Sequence, residues 1–243
     1  MDRTVYRERI TMHIKQFRYS ADNFGYLVFS DTQGIAIDGG NPGDIIDFAK
    51  ELGVVIKYVT NTHFHQDHTG GNAALLEKTD ALFLDCRTVK ERQKITLNAE
   101  TIEIIPTPGH TKDDVCFKAD DFLVTGDTLF NGTVGNCFSG DLSRFFRSLK
   151  ILLSFPVETK IYAGHDYVQE SLKFAAFIEP NNPDIKTYLQ TYDPSLVVST
   201  LADELRVNPY LRFNDPGMIV LLEKKKMPVG TEEQRFLSLM EIY

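Results

Sequence analysis

The chain has 243 residues, of which 42% are hydrophobic and 25% charged, ordinary globular usage that excludes disorder as the main state. Lys plus Arg total 26 against 34 Asp plus Glu, a net charge of −8, which argues against nucleic acid or an anionic membrane as partner. No stretch approaches the ~18 apolar residues of a membrane span, and Met1-Asp2-Arg3-Thr4 leads into no apolar core of a signal peptide.

Three scattered cysteines, Cys86, Cys116 and Cys137, suit a reducing cytoplasm better than a disulfide framework. The length predicts one large domain, or a medium domain with a small appendage.

Along the chain, short segments rich in Val, Ile, Phe and Tyr predict strands at 25–30, 34–38, 54–60, 81–84, 101–105, 115–117, 122–125 and 160–163. Asn41-Pro42-Gly43-Asp44 opens a helix through Lys50, with Gly53 as its stop. A second helix is expected over 68–77. Apolar residues at 142, 145, 146, 149, 152 and 153 form one helical face. After about Ser171, Pro180, Pro183, Pro194, Pro209 and Pro216 punctuate short helical pieces. Strand signal nearly vanishes there, apart from 218–222. The pattern predicts a mixed α/β domain over 1–168 and a mainly helical region over 169–243.

The histidines carry the chemistry. Three lie in one window, His63-Phe64-His65-Gln66-Asp67-His68; two more are His110 and His165, and only His13 stands apart. Each ligand-type residue follows an apolar strand: His63 after 55–60, His110 after 101–105, Asp127 after 122–124, His165 after 160–163. Carboxyl ends of strands are where α/β proteins build sites. In extended chain His63 and His65 point to one side. Asp67 and His68 follow where the chain turns into a helix and can face a second ion.

Imidazole nitrogen and carboxylate oxygen suit zinc first, with iron or manganese as alternatives. Two divalent ions need about seven or eight protein contacts. His63, His65, His110, Asp67, His68 and His165, with Asp127 bridging, supply them. His13 reads as an ordinary surface or core residue. Asp127 alone would read as a turn-former; its place in Gly126-Asp127-Thr128 beside the other motifs makes it a ligand. Asp38 is either a turn residue or a partner that orients a ligand histidine. Gly70-Gly71 leaves room for close backbone approach.

Thr62-His63-Phe64-His65-Gln66-Asp67-His68-Thr69-Gly70-Gly71, Gly109-His110-Thr111, Gly126-Asp127-Thr128-Leu129-Phe130 and Gly164-His165-Asp166-Tyr167 resemble the metallo-β-lactamase superfamily. Leu172-Lys173-Phe174-Ala175, Glu179-Pro180-Asn181, Ser199-Thr200-Leu201-Ala202-Asp203-Glu204 and Asn208-Pro209-Tyr210-Leu211-Arg212 are similar to its glyoxalase II branch, the hydroxyacylglutathione hydrolases. The similarity runs from about Met12 to Arg212, leaving residues 1–11 as an extension.

The resemblance implies an αββα sandwich with a C-terminal helical substrate domain and a binuclear metal site. His63, His65 and His110 would hold the first ion and Asp67, His68 and His165 the second. Asp127 would bridge, which places Asp67 and Asp127 in catalysis as well. The implied reaction hydrolyses S-lactoylglutathione-type thioesters to thiol and hydroxy acid by attack of a metal-bridging hydroxide, with a small-molecule thioester as substrate and the oligomeric state left open.

Substrate contacts depart from the family. Tyr167 matches a tyrosine that contacts the glutathione backbone. Asn136 stands where the family has a basic residue, and Phe138 where it has a tyrosine. The family's C-terminal Arg and Lys have no counterpart in Arg235-Phe236-Leu237-Ser238-Leu239-Met240-Glu241-Ile242-Tyr243. Lys224-Lys225-Lys226 is either a solvated face or a replacement anion clamp. The thioester of another thiol, or a lactone, is therefore an alternative substrate. An iron-dependent persulfide dioxygenase is a further alternative, which the helical-domain motifs oppose.

Overall fold

The computed structural model describes residues 11–242, so the expected N-terminal extension lies outside the described residues except for Thr11. Two sheets face each other. The first runs in the order β1 (His13–Tyr19), β2 (Asn23–Ser30), β3 (Gln33–Ile37), β4 (Val55–Thr60), β5 (Leu82–Leu84). Its first three strands are antiparallel, and β3, β4 and β5 run parallel. The second runs β11 (Ser199–Thr200), β10 (Lys160–Ala163), β9 (Phe122–Gly126), β8 (Val115–Ala119), β7 (Glu100–Pro106), β6 (Gln93–Leu97). Within it only β9 and β10 are parallel.

Period-two alternation assigns each strand residue to a layer. Tyr26, Val28, Ile35, Ile37, Ile102, Ile104, Phe117 and Val124 point inward and fill the core between the sheets. Leu27 and Ala36 point outward onto α1 (Pro42–Glu51) and α3 (Asn72–Lys78), meeting Ile45, Ala49 and Leu75. Ile105, Cys116, Leu123 and Ile161 point outward from the second sheet. They meet Phe145, Leu149 and Leu152 of α4 (Leu142–Leu152), with Met218 of α8 (Pro216–Lys224) and Phe236 of α9 (Glu232–Met240). The order helix, sheet, sheet, helix is the expected αββα sandwich.

Among the described residues, five α-helices and a short strand from Val168 onward make up the C-terminal region: α5 (Val168–Ile178), α6 (Pro183–Thr191), β11, α7 (Leu201–Val207), α8 and α9. Two expectations are corrected here. Residues 218–222 are not a strand. Pro216 at the first turn, with Asp215 capping Gly217 and Met218, starts a helix there. The helix expected over 68–77 is two, α2 (Gln66–Thr69) and α3, divided at Gly70-Gly71. Gly71 packs against the backbone of Gly39, where a Cβ would lie 1.9 Å from the Gly39 carbonyl oxygen. All three cysteines are free.

Candidate metal centre

Four strand ends converge at one edge of the sandwich. His63 follows β4, His110 follows β7, Asp127 follows β9 and His165 follows β10. Donor atoms of His63, His65, His110 and Asp127 lie within 4.8 Å of one another, and so do those of Asp67, His68 and His165. His65 Nδ1 lies 2.9 Å from His63 Nε2 and 3.1 Å from His110 Nε2. His68 Nε2 lies 3.2 Å from His165 Nε2, and Asp67 Oδ2 is 3.4 Å from the latter. All seven sequence-predicted ligand candidates are thus brought together, and all but Asp67 and His65 are buried.

Asp127 stands between the two groups. Its Oδ2 is 3.4 Å from His110 Nε2, and its Oδ1 is 3.3 Å from His68 Nε2. Oδ1 is buried and forms no hydrogen bond, a position that suits a carboxylate awaiting a cation. Gly164 makes this approach possible: a Cβ there would sit 2.1 Å from Asp127 Oδ1 and 2.9 Å from His68 Cε1.

Partners behind the rings fix which nitrogen faces inward. His110 Nδ1 donates to the Asn136 carbonyl at 2.9 Å, which presents Nε2. His68 Nδ1 donates to Asp38 Oδ2 at 3.0 Å, and His165 Nδ1 to Asp22 Oδ1 at 2.9 Å. The Thr62 hydroxyl donates to Asp38 at 2.6 Å, so its oxygen can accept from His63 Nδ1 at 3.1 Å. Asp38 therefore fills both roles open to it. It turns the chain with φ of 51° and orients ligand-type side chains.

Burial and neighbouring charge act in opposite directions on these groups. Burial, helped by His68, lowers the His63 pKa to about 3, and burial also lowers that of His110; both are neutral at pH 7. Burial opposes a charge on His68, yet the facing Asp38 and Asp127 push its pKa well above the ordinary range. Burial likewise opposes ionisation of Asp127, but His68, His63 and His165 hold its carboxyl below the usual carboxylate range. Five imidazoles and two carboxylates fit a pair of dications of the zinc, iron or manganese type.

The substrate candidates lie around this centre. Tyr167 stacks on the His165 ring with centroids 4.9 Å apart and planes at 6°. It lines a cavity of about 340 Å³ with Asn136, Phe130, Phe174, Tyr210 and Met240. Phe138 is 67% exposed, and its ring lies 5.2 Å from that of His110 and 5.8 Å from that of His65. Lys224, Lys225 and Lys226 are exposed at the end of α8 and do not line the Tyr167 cavity.

Asp22 and Asn23 escaped the sequence reading. Asp22 ends the turn from β1 to β2 and Asn23 opens β2, where its Nδ2 donates to Asp67 Oδ2 at 3.0 Å. Asp and Asn in a tight turn carry no signal that separates them from ordinary turn-formers.

Residues 166–241 match the family described as hydroxyacylglutathione hydrolase C-terminus, and residues 23–82 match the metallo-beta-lactamase superfamily. A hydroxyacylglutathione hydrolase of Pseudoalteromonas translucida is 30% identical over 232 residues, 88% of this chain and 90% of that one. Another, of Idiomarina loihiensis, is 32% identical over 220 residues, 84% and 87% of the two chains. The crystal structure of ETHE1 from Myxococcus xanthus shares the fold with a TM-score of 0.68, at 23% identity over 95% of this chain and 90% of that one. With two sheets, an edge cluster of histidines and aspartates, and relatives alike over nearly their whole length, the chain belongs to the metallo-beta-lactamase superfamily, in its hydroxyacylglutathione hydrolase (glyoxalase II) branch, and is a metal-dependent hydrolase.

Proposed function

We propose that this chain is a binuclear thioesterase that hydrolyses S-lactoylglutathione-type thioesters to a thiol and a hydroxy acid. His63, His65 and His110 hold one ion, Asp67, His68 and His165 the other, and Asp127 bridges. The observation that carries the reading is the meeting of two donor groups at the buried Asp127 carboxylate, one of whose oxygens forms no hydrogen bond, in a chain whose relatives are named hydroxyacylglutathione hydrolase. When bound, two divalent ions supply an acidified water nucleophile at neutral pH and a Lewis acid for the developing oxyanion. Zinc is the first candidate, with iron and manganese next.

The chain's own residues do the positioning. Asp38, Asp22 and the Asn136 carbonyl hold the rings of His68, His165 and His110 with Nε2 facing inward. Asn23 steadies Asp67 by a hydrogen bond to its carboxylate. The ligand histidines are committed and serve as no free base. A thiolate needs little help to leave, since an ordinary thiol pKa is about 8.5. Tyr167 and Asn136 border the cavity beside the centre, Phe138 lies against the rings of His110 and His65 outside that cavity, and these three are the proposed substrate contacts. The C-terminal region from 169 supplies Glu170, Phe174, Tyr210 and Met240 to the cavity, which supports its role as a substrate domain. Free cysteines accord with a cytoplasmic setting, and no helix among the described residues is long and apolar enough to cross a membrane.

The test is steady-state hydrolysis of S-lactoylglutathione by zinc-, iron- and manganese-loaded protein, with metal content measured alongside. A kcat/KM within about 10⁴–10⁸ M⁻¹s⁻¹ with thiol release supports the reading. Oxygen uptake with sulfite release and one bound iron would replace it with a persulfide dioxygenase, and ring opening without thiol release with a lactonase.

A further inference from the structure

A second cavity, about 360 Å³, is walled by His65 and Phe138 and differs in chemistry from the one beside Tyr167. Its other walls include Phe64, Arg87, Lys112 and Asp113. The Arg87 guanidinium lies over the Phe64 ring, 3.8 Å from its centroid. Its Nε and Nη2 are taken by Asp85, at 2.9 and 2.7 Å, which leaves Nη1 with no hydrogen bond among the described residues. Asp113 is engaged by Lys90 at 2.6 Å. Lys112 forms no ion pair among the described residues. The groove therefore brings two cationic side chains together with two aromatic walls beside a ring of the metal centre. The described walls of the Tyr167 cavity include Glu170 and no lysine or arginine.

We propose that this groove receives the acyl half of the substrate and that Arg87 and Lys112 engage its terminal carboxylate, so that short dicarboxylic half-thioesters are preferred. The inference rests on the thioesterase reading above. Phe64 and Phe138 cover the methylene chain, and the guanidinium and ammonium meet the terminal oxygens as charge-assisted donors. Hydrolysis then breaks the carbon–sulfur bond, forms a carbon–oxygen bond to water, and releases the thiol with a proton and a dicarboxylate.

The experiment compares S-succinyl- and S-butyryl-N-acetylcysteamine, which share a neutral thiol and chain length and differ in the terminal carboxylate. Metal-loaded wild type is expected to favour the succinyl ester in kcat/KM on the order of tenfold, the worth of one such contact. In Arg87→Gln with Lys112→Gln that ratio is expected to fall towards one. A ratio near one in wild type, or one that survives both substitutions, overturns the proposal. So does a result in which the substitutions instead change the ratio of S-lactoylglutathione to S-lactoyl-N-acetylcysteamine, because the cations would then serve the thiol's carboxylate. If no thioester is turned over, the thioesterase reading fails, and calorimetry on the metal-loaded protein decides the groove separately. Succinate binding on the order of tenfold tighter than butyrate, lost in the double variant, keeps a carboxylate site there; equal binding removes it.

Discussion

His68 Nδ1 meets Asp38 Oδ2 at 3.0 Å with both side chains shut off from solvent. The same carboxylate accepts from the Thr62 amide and hydroxyl, at 2.8 and 2.6 Å, so one aspartate steers His68 directly and His63 through Thr62. Asp38→Asn keeps the shape but loses an acceptor and the charge. It is expected to weaken metal affinity or activity by about 10–100-fold, the usual effect of removing a partner behind a ligand histidine. Chelator competition with metal analysis checks this; wild-type affinity and turnover in the variant would show that Asp38 only shapes the turn.

Gly164→Ala is expected to disable the centre with little change in the sandwich. Its Cβ would press on Asp127 Oδ1 from 2.1 Å, closer than real contacts come. Asp127 has to move, and the two donor groups lose their shared carboxylate. Bound metal per chain should drop while circular dichroism stays close to wild type. Full metal loading would mean the backbone yields instead.

Phe145→Ala tests support from beneath. The Phe145 ring is fully buried and fills the space where a Gly109 Cβ would lie, directly before His110. Removing a buried Phe side chain costs about 3–5 kcal/mol. At about 2–4 °C per kcal/mol for a chain of this size, Tm is expected to fall on the order of 10 °C. A calorimetric scan decides it.

Glu204 gives stability a pH dependence of known sign. It is wholly buried in α7, accepting from the Gly132 amide at 2.8 Å and from Asn208 Nδ2 at 2.9 Å. Burial raises its pKa from 4.5 to about 7. Between those values the folded chain holds a proton that the unfolded chain has released. The contribution of this group to stability therefore falls as pH rises through that window and is level above it, a change of about 3 kcal/mol. Glu204→Gln is expected to flatten the slope. Denaturant titrations from pH 5 to 8 measure the difference, and parallel curves for the two proteins would contradict it.

The cluster of candidate donors was legible because coordination demands rare residue types at strand ends, and six histidines in 243 residues leave little room for coincidence. The central strands were legible from apolar runs. The strands that escaped, β1, β6 and β11, are all sheet edges. Gln93-Lys94-Ile95-Thr96-Leu97 and His13-Ile14-Lys15-Gln16-Phe17 carry the polar residues an edge tolerates, and their pattern is correspondingly weak. Residues 218–222 misled because an unbroken apolar run fits a strand or a buried helix equally, and Pro216 behind Asp215 was the deciding signal. Asp22 reaches His165 across the two sheets, Asn23 reaches Asp67 from another part of the first sheet, and Thr62 acts through Asp38, contacts that no local window contains.

The donor groups draw on both sheets, and main-chain hydrogen bonds close the junction beside them, from Phe24 to Gly164 at 2.8 Å and from Val115 to Thr62 at 2.9 Å. A chain emerging during synthesis displays His63, His65, Asp67 and His68 about a hundred residues before His165 exists. Until β10 joins β9 and carries His165 up to the turn before β2, the second group lacks one of its three donors. Under the proposed assignment the donors for two ions are complete only once the sandwich has closed, and a chain truncated before residue 165 would retain its most conspicuous motif without the third donor of the second group.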